Sequence, residues 1–239
     1  MTSAGNHEVG ENFTHYKSRF AAITNFTAKA SGSPSNHFYS FDAGLVHWIA
    51  IDTEVYDEFQ GADLPANMLR WLAADLAKAN ANRGSVPWIV AHGHKASYMA
   101  SNSSLWEKLF RDLGVDVYFC GHVHSYTRWL PFDPITKTYD KDTITAGGVN
   151  VYTDPKYVVP IVSGVPGCQE VSAEKNCVPL DPRGSESARC GNYGYGFFTA
   201  VNKTHAHWRW ETAAPINGTT NAEFVDDLWI VQNNHGPRV

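Results

Sequence analysis

The sequence predicts an α/β protein, and three observations carry that prediction. Residues 87–120 alternate strand, helix and strand, which makes a βαβ unit and so a parallel pair. Val115, Val117 and Phe119 alternate with Asp116, Tyr118 and Cys120, the period of a half-buried strand, and that strand runs into Gly121-His-Val-His124. With 239 residues, 43% apolar and 13% aromatic, the chain can fill a sizeable core, in one large domain or two small ones.

Taken in order, residues 11–35 are polar and loop-like. Residues 37–41 and 45–51 read as strands joined by the turn Asp42-Ala-Gly44. Asp63 is a candidate N-cap for a helix to about Lys78, striped by Leu64, Met68, Leu69, Leu72 and Leu76. Residues 87–91 form a short apolar strand ahead of His94. Ser104-Leu-Trp-Glu107 has a capping-box pattern for a helix to Leu113, with Gly114 as its stop. Residues 131–156 are loop-rich, 157–163 is a strand, and 164–192, rich in Gly, Pro, Ser and Cys, is an irregular excursion. From 193 onward two strands return, followed by an amphipathic Val225–Val231 piece.

Composition narrows the function. A net charge of −5 and a pI near 6.1 give no support for nucleic-acid binding. No run of eighteen apolar residues offers a membrane span. Met1-Thr-Ser-Ala-Gly5 has neither the basic start nor the apolar stretch of a signal peptide. Five Asn-x-Ser/Thr sequons, at Asn12, Asn25, Asn102, Asn202 and Asn217, nonetheless point to the secretory route, since chance gives roughly two. Of the four cysteines, Cys120 reads as a buried thiol, while Cys168, Cys177 and Cys190 crowd one segment. A loop-closing Cys168–Cys177 bridge fits that spacing, but four cysteines allow three pairings.

The chemistry sits at strand ends. If the backbone stays extended after Gly121, His122 and His124 project to one side, and converging imidazoles suit a transition metal. A pair of loop histidines without a ligand fits the same letters. His94 and His122/His124 follow two parallel strands, where α/β proteins place their sites. His205 and His207 repeat the spacing inside a strand pattern, which a half-exposed strand face explains. Asp52 and Glu54 after a strand could mimic ligands, but loop carboxylates are usually solvated; His15, His37, His47 and His235 show no partner pattern.

Three blocks stand in order: Gly5-Asn-His-Glu8, Pro87-Trp-Ile-Val-Ala-His-Gly-His-Lys-Ala-Ser-Tyr98 and Gly121-His-Val-His-Ser-Tyr-Thr-Arg128. With the tail Tyr193-Gly-Tyr-Gly-Phe-Phe-Thr-Ala-Val-Asn-Lys-Thr-His-Ala-His-Trp208, they resemble the purple acid phosphatases, within the calcineurin-like metallophosphoesterases. The resemblance implies a β-sandwich flanked by helices (αββα), here with its N-terminal strands missing. Residues 1–130 would be the metallophosphoesterase core and 131–239 the C-terminal part of the same domain. It implies an acid phosphatase that hydrolyses phosphate monoesters by attack of a metal-bridging hydroxide. The cofactor would be a dinuclear centre, Fe(III) with Zn, Fe or Mn. Asn6, His94 and His122 carry over as ligands of the divalent ion and His124 as a ligand of the ferric ion. His7 carries over as the residue that contacts the phosphate and protonates the leaving group. A homodimer of the full-length protein and a secreted or vacuolar/lysosomal location are implied as well.

Departures limit the likeness. Ala91, Lys95 and Ala96 replace the family's Val and Arg-Pro, and His92 competes with His94; aligning Pro87-Trp88 and Gly93 favours His94. A further histidine pair of the plant members is Asn102-Ser103-Ser104 here. Ser125 and Thr127 replace the usual Ala and Glu. The family's Gly-Asp-x-Gly and Gly-Asp-x-x-Tyr loops, which bring two Asp and a Tyr to the ferric side, do not occur. The expectation is therefore an N-terminally truncated portion without dinuclear activity of its own. The alternatives are a non-catalytic glycoprotein remnant holding at most one divalent ion, or a related phosphodiesterase or nucleotide pyrophosphatase.

Overall fold

The structure is a computed structural model that describes residues 1–56, 63–96, 103–144, 148–167, 185–189, 192–213 and 223–237. Two sheets face each other. The larger has seven strands in the order β1-β2-β3-β4-β9-β5-β10, and the smaller four in the order β11-β12-β13-β8.

β1 (Tyr39–Ala43) and β2 (Val46–Ala50) form the expected hairpin, turning through Gly44. α3 (Leu64–Ala81) then crosses to β3 (Trp88–His92), and α4 (Ser103–Asp112) to β4 (Val117–Cys120). β2, β3, β4 and β9 (Val159–Ser163) run parallel, so the expected βαβ unit is there and extends on both sides. α3 buries Met68, Leu72 and Leu76 of its predicted stripe, and α4 buries Trp106 and Phe110; together they pack with Ile49, Ile89, Ala91 and Tyr118. α3 runs to Ala81, and Asp63 makes no side-chain cap bond; Pro65 in the first turn, where no N–H is needed, starts the helix instead.

The second core lies between the sheets and gathers Trp88, Val90, Val117, Tyr126, Ile161, Trp208, Trp210 and Ile230. β4 is therefore covered on both faces: Tyr118 and Cys120 face the helices, while Val117 meets the second sheet. The half-buried reading of this strand is corrected accordingly. Cys120 is the expected buried thiol, and burial raises its pKa. Among the described residues the long helices cover the seven-stranded sheet, while Tyr195, Phe197 and Trp229 on the smaller sheet stay exposed.

A polar clamp joins the sheets. Arg128, on β5 (Tyr126–Trp129), reaches Asp226 on β13 (Val225–Val231) with Nε at 2.7 Å and Nη2 at 2.9 Å. Its other N–H groups reach Tyr152 Oη, the Val149 carbonyl and Asn150 Oδ1, so the whole donor fork is satisfied. Tyr126 stacks on Trp210 at 4.4 Å and donates to Asp226. In the tail, Gly194 and Gly196 on β11 (Gly194–Ala200) leave room for the indoles of Trp210 and Trp208 on β12 (His205–Thr212), where a Cβ would lie within 2.2 Å and 2.0 Å of them.

Three stretches differ from expectation. Residues 11–35 are largely helical: α1 (Gly10–Arg19), a wide turn over Ile23–Ala28 and the short α2 (Lys29–Ser31). Their polar sequence hides this, since only Phe13, Tyr16 and Ala28 turn fully inward. Within 164–192, β10 (Ser185–Arg189) pairs antiparallel with β5. Residues 131–156 are not all loop either, holding β6 (Phe132–Asp133), β7 (Thr138–Tyr139) and β8 (Val151–Thr153). Cys168, Cys177 and Cys190 lie outside the described residues, as do Asn102 and Asn217. Asn12, Asn25 and Asn202 are exposed. Among the described residues no helix is long and apolar enough to cross a membrane.

Candidate metal centre

Three loops meet beyond the C-terminal ends of β3 and β4. The first is the turn Asn6–Glu8, whose start is tied down by the Glu8 carboxylate accepting the Gly5 N–H at 2.8 Å. The second carries His94, two residues past the last ladder position of β3, where His92 pairs with Ala50 and Phe119. The third is Gly121–Ser125, between β4 and β5.

His94 Nε2 lies 2.8 Å from Asn6 Oδ1 and 3.0 Å from His122 Nδ1. His122 Nδ1 is itself 3.2 Å from Asn6 Oδ1, which closes a triangle. Donors about 2.0–2.1 Å from one ion, at angles between octahedral and tetrahedral, sit roughly 2.9–3.4 Å apart. The triangle matches that spacing. Hydrogen bonds satisfy it poorly, because an amide oxygen only accepts and two facing imidazole nitrogens share at most one proton. A cation would use all three lone pairs, so the residues fit a divalent ion. Among the described residues no three His, Cys, Asp or Glu side chains form a metal cluster; the third donor here is an amide.

Electrostatics agree with the geometry. Burial, and then the charges of His122, Lys95, His7 and His124, push the His94 imidazole down to about 4. It therefore stays neutral, with its lone pair available, in mildly acid solution. His7 is exposed and His124 half-buried, both close enough for His94 to feel their charge.

The expectation of an extended His122–His124 backbone is corrected. His122 is left-handed, with φ 61°. Such a conformation costs a non-glycine residue about 1–3 kcal/mol and collects at functional sites. The tight turn is held by Val123 N–H on Gly121 O at 2.7 Å and Ser125 N–H on Val123 O at 2.8 Å. Beneath it lies Gly164, donating to Ser125 O at 3.0 Å. A Cβ on Gly164 would sit 2.0 Å from the Val123 carbonyl oxygen. No donor atom marks Gly164, so its part is invisible in the sequence.

Asp52 and Glu54 are not solvated loop carboxylates. Both are fully buried: His37 Nδ1 is 2.5 Å from Asp52, and Lys95 Nζ is 3.1 Å from Glu54. His37 and His47 thus have carboxylate partners that spacing concealed, His47 lying between Asp42 and Asp75. His92 is half-buried outside the triangle, as its place inside the strand implies. His207 pairs with Asp227 at 3.0 Å and stacks on Trp229, and His205 contacts Thr204. A groove of about 620 Å³, lined by Phe26, Phe41, His47, Asp75 and Lys78, opens elsewhere and does not reach the triangle.

Comparison with known proteins shows the family. The calcineurin-like phosphoesterase family model matches residues 1–126, more than half of the chain. The chain belongs to that family. Within it the chain falls in the purple acid phosphatase branch: the model for the iron/zinc purple acid phosphatase-like C-terminal region matches residues 157–225. Acid phosphatase type 7 of Homo sapiens is 32% identical over 260 residues, covering 100% of this chain and 54% of that protein. Purple acid phosphatase 15 of Arabidopsis thaliana is 28% identical, over 97% of this chain and 46% of the relative. The purple acid phosphatase PPD1 from yellow lupin seeds superposes with a TM-score of 0.66 at 18% identity, over 97% of this chain and 40% of that one, and shows the shared fold. The chain spans about half the length of the curated relatives it matches.

Proposed function

We propose that this chain contributes the divalent-ion side of a metal-dependent phosphate monoester hydrolase. The reading is supported above all by the triangle of Asn6, His94 and His122, built from three motifs in the family's order. Portions 1–130 and 131–239 are read as parts of one catalytic domain, since β9 and β10 of the second join β1–β5 of the first in one sheet.

In this reading Asn6, His94 and His122 would hold the divalent ion, zinc, iron or manganese, and His124 would be a ligand of the ferric ion. Such a pair, when bound, supplies Lewis acidity toward the phosphoryl oxygens and lowers the pKa of the attacking water. Asn6, a neutral donor, leaves the ion's charge undiminished. His94, pushed down to about 4 chiefly by burial, stays deprotonated in mildly acid solution, which keeps that donor available there. His7, exposed at the rim, contacts the phosphate and gives a proton to the leaving oxygen. The phosphate monoester is the substrate. The five sequons carry the secreted or lysosomal/vacuolar assignment and the reading of Asn12, Asn25, Asn102, Asn202 and Asn217 as glycan sites; a homodimer of the full-length protein belongs to the same proposal.

A second reading has the chain bind one divalent ion without turnover. It is favoured by the lack of both Gly-Asp loops in the sequence. One experiment separates them: metal stoichiometry of the purified chain, with hydrolysis of p-nitrophenyl phosphate and its bis ester at pH 5. Two ions per chain with monoester turnover establish the hydrolase and overturn the expectation that this chain lacks dinuclear activity of its own; one ion without turnover shows that the chain by itself behaves as the second reading has it. Absence of any ion overturns both, and a preference for the bis ester moves the assignment to a phosphodiesterase.

A further inference from the structure

Directly behind His94 the end of β2 forms a polar clasp. Thr53 Oγ1 accepts the Lys95 backbone N–H at 3.0 Å and donates to Glu54 Oε1 at 3.2 Å. Lys95 Nζ lies 3.1 Å from Glu54 Oε2, with the Lys95 side chain 8% exposed and that of Glu54 0%. Asp52 Oδ1 accepts the Glu54 N–H at 2.9 Å, and Tyr118 donates its hydroxyl to Lys95 O at 2.8 Å. On its other side, Gly121 donates to His94 O at 2.9 Å. Three backbone groups flanking the imidazole are thus held: His94 O by Gly121, the Lys95 N–H by Thr53 and Lys95 O by Tyr118.

Such an investment needs a reason. A buried ion pair is weak evidence for stability, because its desolvation offsets its attraction. Its lasting value is to hold one geometry. Ala96 leaves the backbone beyond His94 without the ring constraint a proline would impose. The His94 ring is also tightly seated: a Cβ at Gly5 would be 3.0 Å from its Nδ1. Small movements of residues 94–95 would therefore break the approach to Asn6.

We propose that Thr53, Glu54 and Lys95 are positioning residues: by pinning the Lys95 backbone to the end of β2 they fix the His94 imidazole against Gly5 and so set the affinity of the triangle for a divalent ion. This rests on the metal reading of the site, yet it also has a metal-free consequence. Loss of a ligand's supporting partner commonly costs about 10–100-fold in metal affinity.

The test compares Thr53→Val, which deletes the acceptor at nearly constant shape, Thr53→Ser, which keeps it, and the double variant Glu54→Met/Lys95→Met, which strands no buried charge. Co²⁺ is titrated by visible absorption, folding is followed by circular dichroism, and the Gly5 Hα–His94 ring NOE is recorded in metal-free protein. Thr53→Val and the double variant should bind Co²⁺ at least about tenfold more weakly and lose the NOE. Thr53→Ser should match the wild type in both. Folded Thr53→Val and double variants with wild-type affinity and NOE would overturn the inference. If the wild type takes up no Co²⁺, the metal reading fails by itself, and the NOE alone decides the clasp: lost in Thr53→Val it stands, kept it falls.

Discussion

The two ends of the parallel strands are built on opposite rules. At the N-terminal end His47, Asp75, Arg83 and Asp116 meet complementary groups. His47 lies 2.6 Å from Asp42 and 3.0 Å from Asp75, whose other oxygen accepts from Ser40. Arg83 donates to Asp116 at 2.7 Å and to the Pro87 carbonyl at 2.5 Å, and Asp116 also accepts the Ile89 N–H. At the C-terminal end, Asn6 Oδ1, His94 Nε2 and His122 Nδ1 converge at 2.8, 3.0 and 3.2 Å from one another. Arg128 with Asp226, between the sheets, follows the first rule. The groups at the N-terminal end and between the sheets are paired donor to acceptor, whereas at the triangle an amide oxygen meets two imidazole nitrogens that share at most one proton.

Breaking the paired kind should cost stability. Arg128→Met leaves Asp226 buried without its guanidinium and should lower unfolding free energy by about 3–5 kcal/mol in a denaturant titration. A loss under about 1 kcal/mol would mean the clamp is no more than a surface pair. Breaking the convergent kind should cost ligand instead. His94→Ala should weaken Co²⁺ binding by at least about 100-fold, the upper range for losing a mere supporting partner, with little change in melting temperature. Unchanged affinity there would erase the contrast.

His47 sharpens the comparison through pH. Burial opposes its charge, but the hydrogen bonds and charges of Asp75 and Asp42 outweigh that, so its pKa is raised. A raised folded pKa contributes stability that is fully present below the unfolded value of about 6.5 and is lost as pH rises through the folded value. His47→Gln should therefore be less stable than wild type by about 1–2 kcal/mol at pH 5, since Asp42 is half-exposed. The deficit should shrink toward pH 9; a gap that widens would reverse the sign argued here. The smallest effect belongs to His207→Ala. Its partner Asp227 is 43% exposed, so stability should move by under about 0.5 kcal/mol and Co²⁺ affinity not at all.

What the sequence revealed follows from how local each feature is. The apolar run of β3, the stripe of α3 and the Gly121-His-Val-His124 loop lie within short windows and were legible. The preference for His94 over His92 rests on aligning Pro87-Trp88 and Gly93 with the family; in the fold His92 sits inside a strand ladder and His94 beyond it. The left-handed His122 was not legible, since nothing in its neighbours announces a positive φ. Nor were His37–Asp52 or Lys95–Glu54, pairs separated by 15 residues in the first case and joined only by folding. β10 escaped because its five residues, Ser-Glu-Ser-Ala-Arg, carry no apolar alternation; it is a strand because β5 offers it an edge.

Gly164 is 42 positions from His122 by number, yet it forms the floor on which that loop rests. Adding one methyl group there would tilt the whole His122–His124 segment while leaving every coordinating atom in the gene. Variants at such a silent support would disarm the centre without touching its inventory, and scoring damage by ligand residues alone would pass them as harmless.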